Sequence, residues 1–97
     1  MKLLEGCQLE YKRRHDTIWP ELKDLLHAAG ISQYSIFLDE SNLDLFGFLH
    51  LKEGLGYEAL PTRELMRKWW EYMADIMETN PDHSPLSLAL KEVFYME

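Results

Sequence analysis

The sequence predicts one α+β domain, in which helices and strands alternate as a short strand, two helices, a hairpin, a helix and a closing strand. Three observations carry that prediction. Leu65, Met66, Trp69, Trp70, Met73, Ile76 and Met77 recur at the i, i+3, i+4, i+7 spacing of an amphipathic helix. Ile31 to Leu38 and Leu43 to Leu51 are two short apolar-rich runs flanking the polar tetrad Asp39-Glu40-Ser41-Asn42, which reads as a hairpin. The chain has 97 residues, 46% of them hydrophobic and 28% charged, which suits a single domain over residues 1–97.

Taken in order, Met1-Lys2-Leu3-Leu4 is a short extended stub, broken by Glu5-Gly6. Cys7 to Arg14 favours a first helix, and His15-Asp16-Thr17-Ile18 is the expected boundary. Asp16 or Thr17 can cap a second helix, where Pro20 fits the first turn and Glu21 suits the positive end of the dipole. Trp19, Leu22, Leu25, Leu26 and Ala29 form its apolar stripe, and Gly30 is the expected stop. The strand Ile31 to Leu38 should be at least half covered on both faces. Gly47, midway along the second strand, suggests a bulge or a close backbone approach.

After Gly54 and Gly56, a short helix around Tyr57 to Leu60 should stop at Pro61. Thr62 can cap the next helix, expected to run to about Met77. Asn80-Pro81-Asp82-His83-Ser84-Pro85 must be irregular, a turn of helix is expected over Leu86 to Leu90, and Glu92 to Met96 is rich in strand formers. The order β-α-α-β-β-α-β is a ferredoxin-like βαββαβ pattern with its first helix broken in two. Its sheet would carry helices on one face, and a second copy of the chain in a C2 homodimer is the simplest cover for the other.

Net charge is −7, which argues against a nucleic-acid partner because phosphate binding needs a basic surface. The one basic cluster, Lys12-Arg13-Arg14, is expected to be a solvated helix face among Asp16, Glu21 and Asp24. No apolar run reaches the roughly 20 residues of a membrane span, and the start is too short and polar for a signal peptide, so a cytoplasmic protein is expected. Cys7 is the only cysteine, with no activating charge beside it. Neither a paired-histidine or Cys-x-x-Cys metal motif nor a glycine-rich phosphate loop is present, so the expectation is no metal and no cofactor.

Tyr11 and His15 are four apart, which places them on one helix face. A histidine that titrates near neutrality would then sit beside a phenol able to hold a hydroxyl. The ordinary alternative for His15 is a hydrogen-bonded helix-end residue. Trp69 and Trp70 diverge by about 100° around a helix, so a core role accounts for one and leaves the other for an interface or a cleft wall. An indole can stack on the apolar face of a sugar while its N–H meets a hydroxyl. Tyr34 is a further aromatic on the first hairpin strand. His27 is expected to be solvated, His50 structural, and His83 in the Pro-rich turn could touch a ligand.

The strings Tyr11-Lys12-Arg13-Arg14-His15, Ile18-Trp19-Pro20-Glu21-Leu22, Tyr34-Ser35-Ile36-Phe37-Leu38-Asp39, Trp69-Trp70-Glu71-Tyr72-Met73, Asn80-Pro81-Asp82-His83-Ser84-Pro85 and the ending Glu92-Val93-Phe94-Tyr95 together resemble the L-rhamnose mutarotase family. The resemblance runs in order across nearly the whole chain. It implies a dimeric α+β barrel of ferredoxin-like subunits that interconverts the α and β anomers of L-rhamnose without metal or cofactor. It further implies that His15 is the proton donor and that Tyr11, Tyr34, Trp69 and Trp70 line the sugar site. Family members carry several more residues before the first helix, so Met1 to Leu4 would supply only the end of their first strand.

The mechanism expected from this reading makes His15 the general acid at the ring oxygen, with Tyr11 orienting the sugar or His15 and Tyr34 holding a hydroxyl. The tryptophans would form the stacking wall, and the partner base stays open between a water and a polar group of the Asn80 to Ser84 turn. Two rival classes remain at this level: a cofactor-free monooxygenase-like enzyme, by fold analogy alone, and a sugar-binding module without activity.

Overall fold

Local chemistry sets most element boundaries in the computed structural model, which describes residues 1–97. Helix α1 spans Gln8–Asp16, longer than expected, so His15 lies inside its last turn rather than at a boundary. Thr17 does not cap the following helix. Its hydroxyl donates to the Arg13 carbonyl at 2.9 Å and closes the end of α1 instead. Helix α2, Pro20–Ala28, starts on proline with Trp19 at its N-cap, and no side chain caps it. Leu22 and Ala29 of the expected stripe are buried, and Leu25 and Leu26 are partly so.

Gly30 ends α2 at φ +96°, and a Cβ there would stand 2.3 Å from the Lys52 carbonyl oxygen. That carbonyl belongs to the strand partner, because the Lys52 N–H donates to Gly30 O at 2.9 Å. Only glycine allows both the left-handed turn and this approach.

Strand β1, Ile31–Asp39, pairs antiparallel with β2, Asp44–Leu51. The irregularity in their ladder falls between Ser32 and Ser35, where Gln33 has φ +49°, and not at the expected Gly47. Gly47 pairs regularly with Ile36. The other expectation, a close backbone approach, is not met either: a Cβ there would stand 3.5 Å from the Tyr34 ring, an ordinary contact with a side chain.

Two stretches outside the ladder widen this sheet. Leu3 donates to Leu43 O and Leu45 donates to Met1 O, so the N-terminal stub lies against the start of β2. On its other side Leu4 donates to Ile76 O and Glu78 donates to Lys2 O. Single antiparallel bridges at Lys2–Asp44 and Leu3–Met77 mark these contacts.

A 3₁₀ turn, Tyr57–Thr62, contains Pro61. Thr62 again is not the expected cap; its hydroxyl donates to Ala59 O at 2.6 Å and closes that turn. Helix α3 runs Glu64–Met73 and stops short of Met77, because Ile76 to Glu78 are drawn into pairing with the stub. That segment occupies the position expected for the closing strand. Glu92 to Met96 form no strand and Leu86 to Leu90 no helix; beyond the Leu86 N–H, no backbone hydrogen bond outside regular elements holds residues 87–97. Strand formers without a neighbouring strand have nothing to pair with.

The core gathers Leu3, Leu22, Ile31, Leu45, Met66, Trp69, Met73 and Met77 between α2, α3 and one sheet face. The opposite face is open within one chain, with Phe37 61% and Phe48 61% exposed, so β1 is not covered on both sides as expected. No helix is long and apolar enough to cross a membrane.

Candidate active site

A cleft of about 720 Å³ opens between α1, α3 and the inner face of the hairpin. That is within the usual range of small-ligand sites, roughly 300–1,000 Å³. All five residues singled out from sequence, Tyr11, His15, Tyr34, Trp69 and Trp70, line it.

His15 is half-buried at the centre of an aromatic stack. Its ring lies over Tyr11 at 4.3 Å between centroids, and Trp69 meets it edge-to-face at 5.5 Å. Its Nδ1 is 3.0 Å from the Tyr11 carbonyl oxygen, one helical turn back. Burial pulls its pKa below the ordinary histidine value, against a smaller upward pull from that carbonyl and from Asp16.

Tyr11 is buried, and its pKa is pushed up first by burial and then by the neighbouring Tyr34. Tyr34 is raised too, by burial and by Tyr57, although 44% of the residue is exposed. Its phenol end rests over Gly47, with the hydroxyl oxygen 3.6 Å from where a Cβ would stand. Neither phenolic oxygen bonds to another protein group. Both therefore remain protonated donors available to a ligand.

The adjacent tryptophans divide as their angular separation requires. Trp69 is buried, at 6% exposure, and also packs edge-to-face on Trp19 at 5.0 Å. Trp70 is only partly buried and still lines the cleft, so it has indole surface left for a ligand. His27 and His83 stand exposed at the rim, while His50 lies outside the cleft against Phe48 at 5.7 Å.

One supporting residue runs against the sequence expectation. Lys12 and Arg13 are solvated, but Arg14 is buried. Its guanidinium donates to Glu10 at 2.7 Å, to the Tyr72 carbonyl at 2.7 Å and to both Asp75 oxygens at 2.8 and 3.2 Å, and lies 4.4 Å over the Tyr72 ring. It ties the end of α1 to the end of α3, the two helices that carry His15 and Trp69. The spacing of Glu10 and Arg14 hints at a pair, but nothing local points to Asp75.

The sequence profile of the L-rhamnose mutarotase family matches residues 1–96. An L-rhamnose mutarotase of Brucella anthropi is 57% identical over 96 residues, covering 99% of this chain and 91% of that protein. One from Listeria monocytogenes is 49% identical, covering 99% and 92%. The crystal structure of an L-rhamnose mutarotase from Formosa agariphila superposes with a TM-score of 0.92 at 52% identity, over 100% of this chain and 93% of that one. With the profile spanning almost every residue, and relatives this similar along their own length, the chain belongs to the L-rhamnose mutarotase family.

Proposed function

We propose that this chain is an L-rhamnose mutarotase, with His15 as its acid–base group. Membership of the family carries the reaction; the stacking of His15 between Tyr11 and Trp69 inside a ligand-sized cleft supports the site. Mutarotation opens the pyranose at the anomeric carbon, lets the aldehyde turn, and recloses the ring. Each direction moves one proton off one oxygen and onto another. A group whose pKa lies near the working pH can serve both, and an imidazole is that group.

Tyr11 and Tyr34 hold sugar hydroxyls with their unpaired phenols. Trp70 supplies the stacking surface, and Trp69, already packed on Trp19, forms the wall behind His15. A deoxy sugar suits this lining, because its methyl group asks for an apolar contact and no partner. One positioned acid–base group is worth roughly 10²–10⁴ in rate, so His15→Ala should lose about that much. Saturation-transfer NMR of L-rhamnose measures the exchange directly. A folded protein that leaves the exchange rate unchanged would refute the activity; a variant with near-normal turnover would refute His15.

The reading extends to assembly. The stub beside β2, with the Ile76 to Glu78 segment on its far side, supports a four-stranded, ferredoxin-like sheet, and the open face with Phe37, Phe46 and Phe48 supports a second copy packed there as a dimeric α+β barrel. Light scattering after gel filtration should give twice the chain mass, and Phe48→Asp should halve it. A monomeric wild type would refute the barrel. We infer a cytoplasmic enzyme, which recovery of its activity in the cytosolic fraction of lysed cells would test.

A further inference from the structure

The geometry points to His15 entering the reaction as a base through Nε2, with Nδ1 locked as an N–H donor to the Tyr11 carbonyl, so that one nitrogen carries the proton between the two oxygens of the anomeric carbon. This rests on the mutarotase reading and reverses the direction expected from sequence, where His15 began as the acid.

The argument is one of valence. A backbone carbonyl carries no proton, so the ring nitrogen 3.0 Å from Tyr11 O must supply one. In a neutral imidazole the other nitrogen is then an unprotonated acceptor. Nε2 has no partner within the protein, and His15 lines the cleft. The Tyr11 ring stacked at 4.3 Å and the Trp69 ring at 5.5 Å oppose the ring flip that would exchange the two nitrogens. Burial disfavours the charged ring, and a base must start neutral.

The proton inventory closes without a second group. Nε2 takes the proton of the anomeric hydroxyl, and the O–H electrons become the C=O bond as the bond from the anomeric carbon to the ring oxygen breaks. The imidazolium then gives the same proton to the departing ring oxygen. The two oxygens share one carbon, so Nε2 need not travel. After rotation about the bond beside the aldehyde, the same steps in reverse close the ring on the other face. The transient imidazolium is favoured by its place in the last turn of α1, at the negative end of the helix, and by neighbouring Asp16. Tyr11 and Tyr34 stay protonated throughout and act as hydroxyl donors only.

Other titrating groups face the cleft and must be separated from His15. Helix α1 also presents Lys12 and Asp16, α2 presents Lys23 and His27, Glu40 follows β1, and the Pro-rich turn presents His83. Of these only His27 and His83 carry an imidazole like that of His15.

Histidine-labelled ¹⁵N NMR of the intact protein, above the titration of His15, reads the tautomer directly, with single His→Gln variants assigning the four signals. The expected result is a protonated Nδ1 and a bare Nε2. The matching kinetic readout is the pH dependence of rhamnose anomer exchange. The rate should rise roughly tenfold per pH unit below the His15 titration and then level off, as for an essential base. That limb should survive in His27→Gln and in His83→Gln. An Nε2–H tautomer, or a rate that falls as pH rises through the same titration, would overturn the proposal. If the folded protein does not exchange the anomers at all, the function falls, and the tautomer still stands or falls by the spectrum.

Discussion

Replacing Arg14 with leucine keeps most of the buried side-chain volume and removes every polar contact. Four losses follow. The 2.7 Å bond to Glu10 goes, although Arg13 still holds that carboxylate. The Tyr72 carbonyl loses a charge-assisted bond of 2.7 Å, worth about 1.5–3 kcal/mol. The pair with Asp75 counts as a surface pair, at about 0–1 kcal/mol, because the Asp75 side chain is 67% exposed and water replaces the guanidinium. The stacking over Tyr72 adds about 0.5–1 kcal/mol. Leucine returns part of this as apolar contact, which leaves a net cost of about 2–4 kcal/mol. At about 4–8 °C per kcal/mol for a domain of this size, Tm should fall by at least about 8 °C. Circular dichroism melts at one fixed protein concentration test this, since association also shifts Tm. Arg14→Lys should fall between the two, because an ammonium cannot fork to Asp75 and still reach the Tyr72 carbonyl. A leucine variant within about 3 °C of wild type would show that Arg14 is a solvated charge after all, and that the two helix ends are held by apolar packing alone.

Gly30→Ala should cost about 1–3 kcal/mol in denaturant unfolding, from its left-handed backbone and a Cβ 2.3 Å from Lys52 O; an unchanged midpoint would refute the close approach. Gly47→Val should raise KM for rhamnose by displacing the Tyr34 phenol, while Gly47→Ala, at ordinary contact distances of 3.5 Å and more, should be mild; equal effects would mean that Tyr34 does not rest there. Stability should fall on acidification. Hydrogen bonds from Arg13 and then Arg14 hold Glu10 at about 2, below its ordinary 4.5, and Arg14 holds Asp75 below its usual range. A carboxyl depressed in the folded state stabilises fully above its unfolded pKa and loses that contribution as pH drops through the folded value. Melts from pH 6 to pH 2 should therefore steepen below about pH 4.5 in wild type and flatten in Glu10→Gln; parallel curves would refute the assignment.

The sequence carried the site better than the edges of the fold. Tyr11 and His15 at i, i+4, and the tryptophan pair on the most strongly patterned helix, are local signals, and the structure brings all four to the cleft with Tyr34. Boundaries failed where a side chain had two possible duties. Thr17 and Thr62 each look like caps for the helix ahead, yet each hydroxyl turns back to close the element behind. The closing strand was misplaced for a non-local reason. Met77 continues the apolar period of α3, and only its pairing with Leu3, remote in sequence, shows that the helix must already have ended. Strand propensity at Val93 to Tyr95 was real but had no neighbour to satisfy it within one chain. Arg14 was hidden for the same reason, since its decisive partner Asp75 lies 61 residues away.

These long-range contacts explain how so short a helix can hold a reactive group in place. Helix α1 has 9 residues, below the roughly 12–15 at which an isolated helix becomes even marginally stable. It buries only Tyr11 and Arg14. Those two are three apart and point to one side, so the helix is fixed at one end by a phenol in the cleft wall and at the other by a guanidinium clamped to α3. His15 follows Arg14 by one position and is turned about 100° from it, toward the cleft. Fraying of this last turn would release the Tyr11 carbonyl from Nδ1 and free the imidazole to adopt either tautomer. Arg14→Leu should therefore do more than lower Tm. At temperatures where the variant is still folded, the ¹⁵N spectrum of His15 should show both tautomers where wild type shows one. A variant that is destabilised but keeps a pure Nδ1–H tautomer would separate the anchor from the chemistry, and would assign the tautomer to the aromatic stack of Tyr11 and Trp69 instead.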